Sequence, residues 1–232
     1  MEKPSLTLAL SKGRLLAPSI AFLKKLGLAG PELSEESRRL TFDWPEKGLR
    51  LFLVRATDVP TYVEYGAADM GIVGKDLLLE QAPDVYEPVD LRYGFCKVVL
   101  AQPLHPGKQT NGGAKLRVAT KYPNITERYF SEQGIPIEIV KLYGSIELAP
   151  LVGLAEQIVD LSSTGETLRA HHLEVVEEIV HCSARLIVNR ASLKLKHPLI
   201  QKMIDRIKKG AGRPGKRRTA GAKIKRGRPS DP

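Results

Sequence analysis

Short apolar segments of strand character alternate with helical patterns from the start of the chain. Residues 6–10, 51–54 and 70–73 are apolar and are predicted as buried strands, while the apolar spacing over 15–26 predicts a helix that ends at Gly27. Strands that recur around helices of about 10–15 residues form a mostly parallel sheet with helices on both faces. The alternation therefore predicts an α/β fold.

A second round of the same alternation begins near Tyr93. Its predicted strands cover residues 95–101, 116–119, 137–140 and 158–161, and its predicted helices cover 124–133 and a segment that begins at Ile146. The remaining predicted elements are a strand over 186–188 and a helix over 197–209. Two comparable sets of units indicate two small lobes with a ligand cleft between them.

The positive charge of the chain is unevenly distributed. The formal net charge is +10, but residues 210–232 hold eight basic residues against one acidic residue, which leaves +3 for the other 209 residues. This basic tail also has five Gly and three Pro, and it carries too little apolar surface to offset the entropy lost on ordering. We therefore predict a disordered tail on a mildly basic globular protein.

Composition excludes several classes of protein. With 42% hydrophobic and 27% charged residues, the chain is neither disordered as a whole nor embedded in a membrane. No segment approaches the roughly 18 consecutive apolar residues that a membrane-spanning helix needs. The first residues lack the pattern of an export signal, and Cys96 and Cys182 are isolated in the sequence, as is typical of a reducing compartment. We therefore expect a cytoplasmic protein that does not bind membranes.

Residues 160–168 form the most informative segment of the sequence. Asp160 ends an apolar strand, and the small and hydroxyl residues that follow lead into a predicted helix. Backbone N–H groups at such a turn converge on one point and, with the hydroxyl groups, suit a phosphate. Asp160 would accept hydrogen bonds from ribose hydroxyls. The alternative is an ordinary helix cap, in which a Ser or Thr satisfies its own turn.

The residues around this segment resemble the signature of the ATP phosphoribosyltransferase family. Nearly every fixed position of the signature agrees at its spacing over 22 residues. The matching positions are Glu147, Gly153, Ala155, Ile158, Asp160, Leu161, Thr164, Gly165, Thr167 and Leu168. Segments 9–15, 55–60, 66–76 and 119–123 are similar to further blocks of the same family, so that the resemblance extends over about residues 5–209.

The resemblance implies a fold and a division of the chain. The fold would be the two-lobed fold of the type II periplasmic binding proteins, with the ligand cleft between the lobes. Lobe I would comprise residues 1–92 plus 177–209 and would bind the nucleotide. Lobe II would comprise 93–176 and would carry the phosphoribosyl pyrophosphate loop, and the tail 210–232 would lie outside both.

The resemblance also implies a reaction. N1 of ATP would attack C1 of 5-phosphoribosyl-1-pyrophosphate and release pyrophosphate, which is the first step of histidine biosynthesis. N1 of adenine carries no proton, so the nucleophile needs no base, and the sequence contains no evident pair of nucleophile and base. Mg²⁺ would be the cofactor, bound mainly by substrate phosphates and without assigned protein ligands.

Individual residues take roles from the resemblance. Lys12, Arg14 and Asp160 would position the substrates and stabilise charge. The residues expected to bind phosphoribosyl pyrophosphate are Asp160, Ser162, Ser163, Thr164, Gly165, Glu166, Thr167 and Leu168. The residues expected to bind ATP are Lys12, Gly13, Arg14, Arg55, Asp69 and Gly71.

Without the resemblance, the residues expected to bind ATP have simpler explanations. Lys12 and Arg14 could be solvated charges on a loop, and Arg55 could form a surface ion pair. Asp69 and Gly71 could serve a turn.

The length of the chain resembles that of the short form of the family, which lacks a regulatory domain. The short form works with a separate regulatory subunit related to histidyl-tRNA synthetase. The resemblance therefore implies a homodimer that is poorly active and insensitive to histidine by itself, and a hetero-oligomer with that subunit.

Two other functions stay open. A small-ligand binding module could share the fold, although such a protein usually carries an export signal. Residues 226–229 form the Arg-Gly-Arg-Pro core of an AT-hook, a DNA minor-groove element, so that the tail could bind nucleic acid. The alternative for the tail is a solubility or docking segment.

Overall fold

The computed structural model describes residues 6–105 and 115–212, which form two β-sheets with helices packed against them. The strands are β1 (Leu6–Ser11), β2 (Thr41–Trp44), β3 (Leu49–Val54), β4 (Met70–Gly74), β5 (Val85–Asp90), β6 (Cys96–Pro103), β7 (Leu116–Thr120), β8 (Ile137–Lys141), β9 (Gln157–Ser162), β10 (Leu173–Cys182) and β11 (Ala184–Asn189). The helices are α1 (Leu16–Lys25), α2 (Val59–Glu64), α3 (Lys75–Gln81), α4 (Pro123–Glu132), α5 (Glu166–Ala170), α6 (Arg190–Leu195) and α7 (His197–Gly210). Single 3₁₀ turns occur at Pro45–Lys47 and Ile146–Leu148.

The first sheet has six strands in the order β2-β3-β1-β4-β11-β5. Strand β1 lies parallel to β3 and to β4, whereas β2 and β11 run antiparallel to their neighbours. Helix α1 places Leu16, Ile20 and Leu23 on one face by the i, i+4, i+7 spacing, and this stripe is buried on the sheet together with Ile200 and Ile204 of α7. Helix α2 covers the opposite face.

The second sheet has five strands in the order β10-β6-β9-β7-β8. Strand β7 lies parallel to β8 and β9, while β6 runs antiparallel to β9 and β10. One face is covered by α4 through Ile125 and Phe130. The other face packs against Ile146 of the second 3₁₀ turn and Leu168 of α5. Successive buried residues of β6 and β9 point to opposite faces of the sheet, so these strands contribute to the apolar core on each face. The core that contains Leu168 holds α5 close to the end of β9.

Within residues 6–105 and 115–212, the chain passes between the sheets twice. It leaves the first sheet after β5, enters the second at Cys96, and returns through Ser183 between β10 and β11. The predicted division into 1–92 plus 177–209 and 93–176 stays a prediction, and residues 177–182 belong to β10 of the second sheet. The predicted basic tail lies outside the described residues from position 213 onward.

Most of the predicted elements are confirmed, and one is wrong. The predicted mostly parallel pairing is also wrong, because five of the nine strand pairs among the described residues are antiparallel. The segment that begins at Ile146 forms a single 3₁₀ turn instead of a helix. Ser145 before it adopts a positive φ of 50°, and Pro150 shortly after it cannot donate the hydrogen bond that a longer helix needs. Strand β10 is absent from the predictions because five of its consecutive residues, 174–178, are exposed and two shifts of register interrupt its pairing with β6.

Candidate active site

A cleft of about 990 Å³ lies between the two sheets. Its walls come from the carboxyl ends of strands in both sheets, where α/β proteins generally bind ligands. The first sheet contributes Ser11 at the end of β1 and Gly74 at the end of β4, while the second contributes residues that end or follow β7, β8 and β9. Both predicted substrate-binding segments, the β1–α1 loop and the β9–α5 loop, reach this cleft.

The β9–α5 loop lines the cleft with every residue from Asp160 to Leu168. Gly165 has a φ of +76°, which a residue with a side chain rarely adopts, and Leu168 is buried and anchors the loop to the second sheet. The N-cap of α5 is Gly165, without a side-chain capping bond. Among the described residues, no hydrogen bond reaches the hydroxyls of Ser162 and Ser163. The helix-cap alternative therefore leaves these two hydroxyls unexplained.

The Asp160 carboxylate is the most buried acidic group of this loop. Lys121 Nζ lies 3.3 Å from Asp160 Oδ1, yet this oxygen is buried and accepts no hydrogen bond from the described residues. Burial raises the pKa of the Asp160 carboxyl, and the nearby Glu147 carboxylate raises it further, while Lys121 lowers it only in part. An acceptor of this kind is available for a ligand hydroxyl.

The β1–α1 loop brings two cations to the opposite wall. Lys12 and Arg14 are exposed and line the cleft, and Gly13 between them has a φ of +86°. Arg14 donates from Nη1 to the backbone oxygen of Gly94 at 2.9 Å and from Nη2 to Cys96 Sγ at 3.2 Å. Arg14 therefore extends from the first sheet to the connection that enters the second.

Further residues line the cleft that sequence reasoning did not assign to the site. Tyr122 donates a hydrogen bond from its hydroxyl to Asp76 Oδ2 at 2.9 Å, and burial beside that carboxylate raises the pKa of the tyrosine. Glu80 of α3 accepts hydrogen bonds from the backbone N–H groups of Asn124 and Ile125 at the start of α4. The other additions include Lys121, Lys141, Tyr143 and Glu147. The signal for Lys121, Tyr122 and Glu147 was their position in segment 119–123 and in the signature that begins at Glu147.

Comparison with known proteins shows which family the chain belongs to. A model described as HisG, ATP phosphoribosyltransferase, matches residues 55–209. The chain belongs to the ATP phosphoribosyltransferase family. The relative named ATP phosphoribosyltransferase in Syntrophotalea carbinolica is 56% identical over 206 residues, which are 88% of this chain and 94% of that protein. The relative of the same name in Pseudomonas fluorescens is 48% identical over 205 residues, which are 88% and 96% of the two chains.

Solved structures agree with this assignment. The chain resembles one from the ATP phosphoribosyl transferase (HisG:HisZ) complex of Thermotoga maritima, with a TM-score of 0.76, 34% identity, and coverage of 89% of this chain and 98% of that one. The fold is also that of the alkanesulfonate-binding protein SsuA of Xanthomonas axonopodis pv. citri, at a TM-score of 0.52 and 12% identity over 90% of this chain and 74% of that one. The predicted short form and the fold of a type II periplasmic binding protein are confirmed.

Membership of the ATP phosphoribosyltransferase family confirms the predicted activity and enzyme class. The family is a group of pentosyltransferases that catalyse the first step of histidine biosynthesis. In the ranges 6–105 and 115–212, no helix is both long and apolar enough to cross a membrane.

Not all of the residues that were predicted to bind ATP line the cleft. Asp69 is buried, and its Oδ2 accepts hydrogen bonds from Thr7 N at 2.8 Å and from Lys196 Nζ at 2.9 Å. These contacts join β1, β4 and the segment before α7. These long-range contacts give Asp69 a structural role other than a turn, and its ATP contact stays a prediction.

Gly71 and Arg55 also lie outside the walls of the cleft. A Cβ atom at Gly71 would lie 2.8 Å from side-chain carbons of Val59 and Val63, so this glycine allows α2 to pack closely on β4. Arg55 is exposed after β3, although Ala56 next to it does line the cleft. ATP contacts by these residues stay predictions, and for Gly71 the packing offers a structural explanation.

Proposed function

We propose that this cleft transfers the phosphoribosyl group of 5-phosphoribosyl-1-pyrophosphate to N1 of ATP. The observation that carries the proposal is the meeting of two distant loops on one cleft. The β9–α5 loop offers hydroxyls and a carboxylate on one wall, and the β1–α1 loop offers two cations on the other. Both loops are the segments that carry the resemblance to the family.

The β9–α5 loop is the proposed site for the phosphoribosyl group. Ser162, Ser163 and Thr164 would donate hydrogen bonds from hydroxyl or backbone groups to the 5-phosphate. Asp160 would accept hydrogen bonds from the ribose hydroxyls, since its Oδ1 is buried and, apart from the ion pair with Lys121, has no polar partner among the described residues. Lys121 at 3.3 Å would keep the carboxylate charged against the cost of burial.

The β1–α1 loop is the proposed site for polyphosphate. Lys12 and Arg14 supply positive charge on either side of Gly13, whose φ is +86°, and a guanidinium can bind phosphate oxygens in a bidentate manner. The cleft also presents Glu147 and Asp160, oxygen donors of the type that Mg²⁺ prefers, so the residues fit an ion carried in on substrate phosphates. When bound, Mg²⁺ would neutralise charge on the departing pyrophosphate.

The chemistry needs positioning more than proton transfer. The lone pair of N1 forms a bond to C1 of the ribose while the bond from C1 to the pyrophosphate oxygen breaks, and the bond electrons leave with pyrophosphate. The ribosyl centre becomes positively charged on the way. The residues of the two loops would hold the reactants in line and stabilise the charges that develop.

Two substitutions test this assignment. Asp160→Ala and Thr164→Val should each abolish turnover, while circular dichroism and thermal unfolding show an intact fold. Turnover is followed as the absorbance of the N1-substituted adenine with ATP, 5-phosphoribosyl-1-pyrophosphate, Mg²⁺, pyrophosphatase and the partner subunit. Asp205→Asn, an exposed carboxylate of α7, serves as the matched control. Near-normal rates in both cleft variants would contradict the site.

We also propose that the chain works with a regulatory subunit related to histidyl-tRNA synthetase and forms a homodimer without it. The resemblance to a chain of the Thermotoga maritima complex supports this arrangement. A cytoplasmic location is part of the proposal, because both cysteines are free thiols. Sedimentation and rate measurements with and without that subunit test it. Strong inhibition of the isolated chain by histidine would contradict it.

A further inference from the structure

Two thiols and a carboxylate meet beside the cleft, at the place where the chain passes between the sheets. The ligand atoms of Asp76, Cys96 and Cys182 all lie within 4.8 Å of one another. The three residues are 4%, 5% and 3% exposed. The proposed transfer reaction uses none of them.

The fold brings these three residues together from separate elements. Cys96 is the first residue of β6 and Cys182 the last of β10, and the two are direct partners in the antiparallel pairing. Asp76 comes from the first turn of α3, which follows β4 of the first sheet. The cluster therefore connects both sheets at their junction.

The Asp76 carboxylate has one oxygen with a partner and one without. Its Oδ2 accepts the hydrogen bond of Tyr122, whereas Oδ1 is buried and receives no hydrogen bond from any described residue. A Cβ atom at Gly74 would collide with Oδ1, so the glycine leaves the space that this oxygen occupies. A buried carboxylate oxygen without a donor is costly, and a cation would compensate it.

We propose that Asp76, Cys96 and Cys182 form a binding site for a thiophilic divalent cation, with Zn²⁺ as the metal that the donors fit best. Two thiolates and one carboxylate oxygen are ligands that Zn²⁺ takes in three-ligand sites that keep a fourth position open. Binding releases the two thiol protons to solvent. The two thiolates and the Asp76 carboxylate then carry three negative charges, which the +2 ion and the +1 guanidinium of Arg14 balance.

Arg14 completes the surroundings of the site. Its Nη2 donates to Cys96 Sγ at 3.2 Å, and N–H donors of this kind orient metal-bound ligands and stabilise them. Tyr122 holds the other oxygen of Asp76 in the same way, at 2.9 Å. The cluster therefore has both the ligands of a metal site and hydrogen bonds that fix them.

Titration of the full chain with Co²⁺ tests the site. The protein is kept in oxygen-free buffer with a phosphine reductant, so that the thiols stay reduced. We expect one equivalent of Co²⁺ to bind with the intense thiolate-to-metal charge-transfer absorption, and Zn²⁺ to displace it. Cys182→Ser and Asp76→Asn should each weaken binding by at least about ten-fold.

Asp58→Asn, an exposed carboxylate outside the cluster, is the matched control and should bind Co²⁺ as the unaltered protein does. Thermal unfolding shows whether each variant folds. Because the two cluster variants alter different residues, one variant still tests the site if the other does not fold. The proposal is overturned when the charge-transfer absorption is missing. It is equally overturned when folded Cys182→Ser binds the metal with unchanged affinity.

Discussion

At the scale of single residues, two buried carboxylates have opposite electrostatic surroundings. Asp160 has Lys121 at 3.3 Å but no hydrogen bond to Oδ1, and burial leaves its pKa raised. Asp69 is also buried, yet the hydrogen bonds from Lys196 and Thr7 outweigh the effect of burial and lower its pKa. The charge of Asp160 therefore opposes folding, whereas the charge of Asp69 supports it.

Replacing Asp160 by Asn should separate stability from activity. The folded protein binds the Asp160 proton more tightly than the unfolded chain does, so ionisation of Asp160 costs stability as pH rises through the unfolded and then the folded pKa. We expect Asp160→Asn to raise Tm at neutral pH while turnover falls by about 100-fold or more. Urea unfolding at pH 4 and 7 measures the first effect, and the gain should shrink at the lower pH. A lower Tm at neutral pH would contradict this expectation.

Asp69→Asn should have the reverse effect. Because the pKa of Asp69 is lowered, its contribution to stability is present above the unfolded pKa and is lost as pH falls toward the folded pKa. Removing the charge leaves Lys196 without its partner. Asp69 is buried but the Lys196 side chain is 41% exposed, so the expected cost is about 1–3 kcal/mol, below that of a fully buried pair. Urea unfolding at pH 7 tests the loss of stability. If Asp69→Asn instead lowers affinity for ATP with unchanged stability, the predicted ATP contact is correct.

The same two residues show how far sequence reasoning reaches. Asp160 could be located because its loop is continuous in sequence, between a strand and a helix. The partner of Asp69 is Lys196, which lies 127 positions further along the chain. A contact of that kind depends on the tertiary fold, so no local pattern could indicate the ion pair of Asp69, and its ATP contact stays a prediction.

At the scale of elements, prediction succeeded where a segment is apolar on the side it buries. Strands β1 and β4 and helix α7 have such patterns and were found within a residue or two of their ends. Strand β10 has five exposed residues in a row, and α3 has seven residues with no capping side chain, so neither has a clear local signal. Their structure comes from pairing with β6 and packing beside β4.

The contact between α2 and β4 yields a test of Gly71. Gly71→Ala would place a methyl group 2.8 Å from carbons of Val59 and Val63, and such overpacking costs about 1–3 kcal/mol. We expect a lower midpoint of urea unfolding with little change in the KM for ATP at a temperature where the protein is folded. Gly144→Ala is the matched control, since a Cβ there has no atom within 4 Å. A higher KM at unchanged stability would favour a nucleotide contact instead.

At the scale of the whole molecule, the two sheets are joined by two connections, and Arg14 reaches one of them. It donates to Gly94 O and to Cys96 Sγ while it lines the cleft. The pattern of strands and helices predicted two lobes, but the discontinuity came from the family resemblance. The return of β11 to the first sheet depends on pairing with β4 and β5, which no local pattern specifies.

This arrangement predicts that a metal at the proposed cluster lowers activity. A bound Zn²⁺ would fix Cys96 and hold Arg14 on its sulfur, away from the substrate phosphates. We expect Zn²⁺ at 100 times its Kd to raise the stability by about 2.7 kcal/mol, or Tm by about 5–10 °C, and to slow turnover reversibly. Cys182→Ser should retain basal turnover and lose both effects, which separates the cluster from Zn²⁺ bound elsewhere. Full turnover at Co²⁺ concentrations where the charge-transfer absorption shows a filled site would contradict this prediction. Arg14 would then act on the substrate without leaving Cys96.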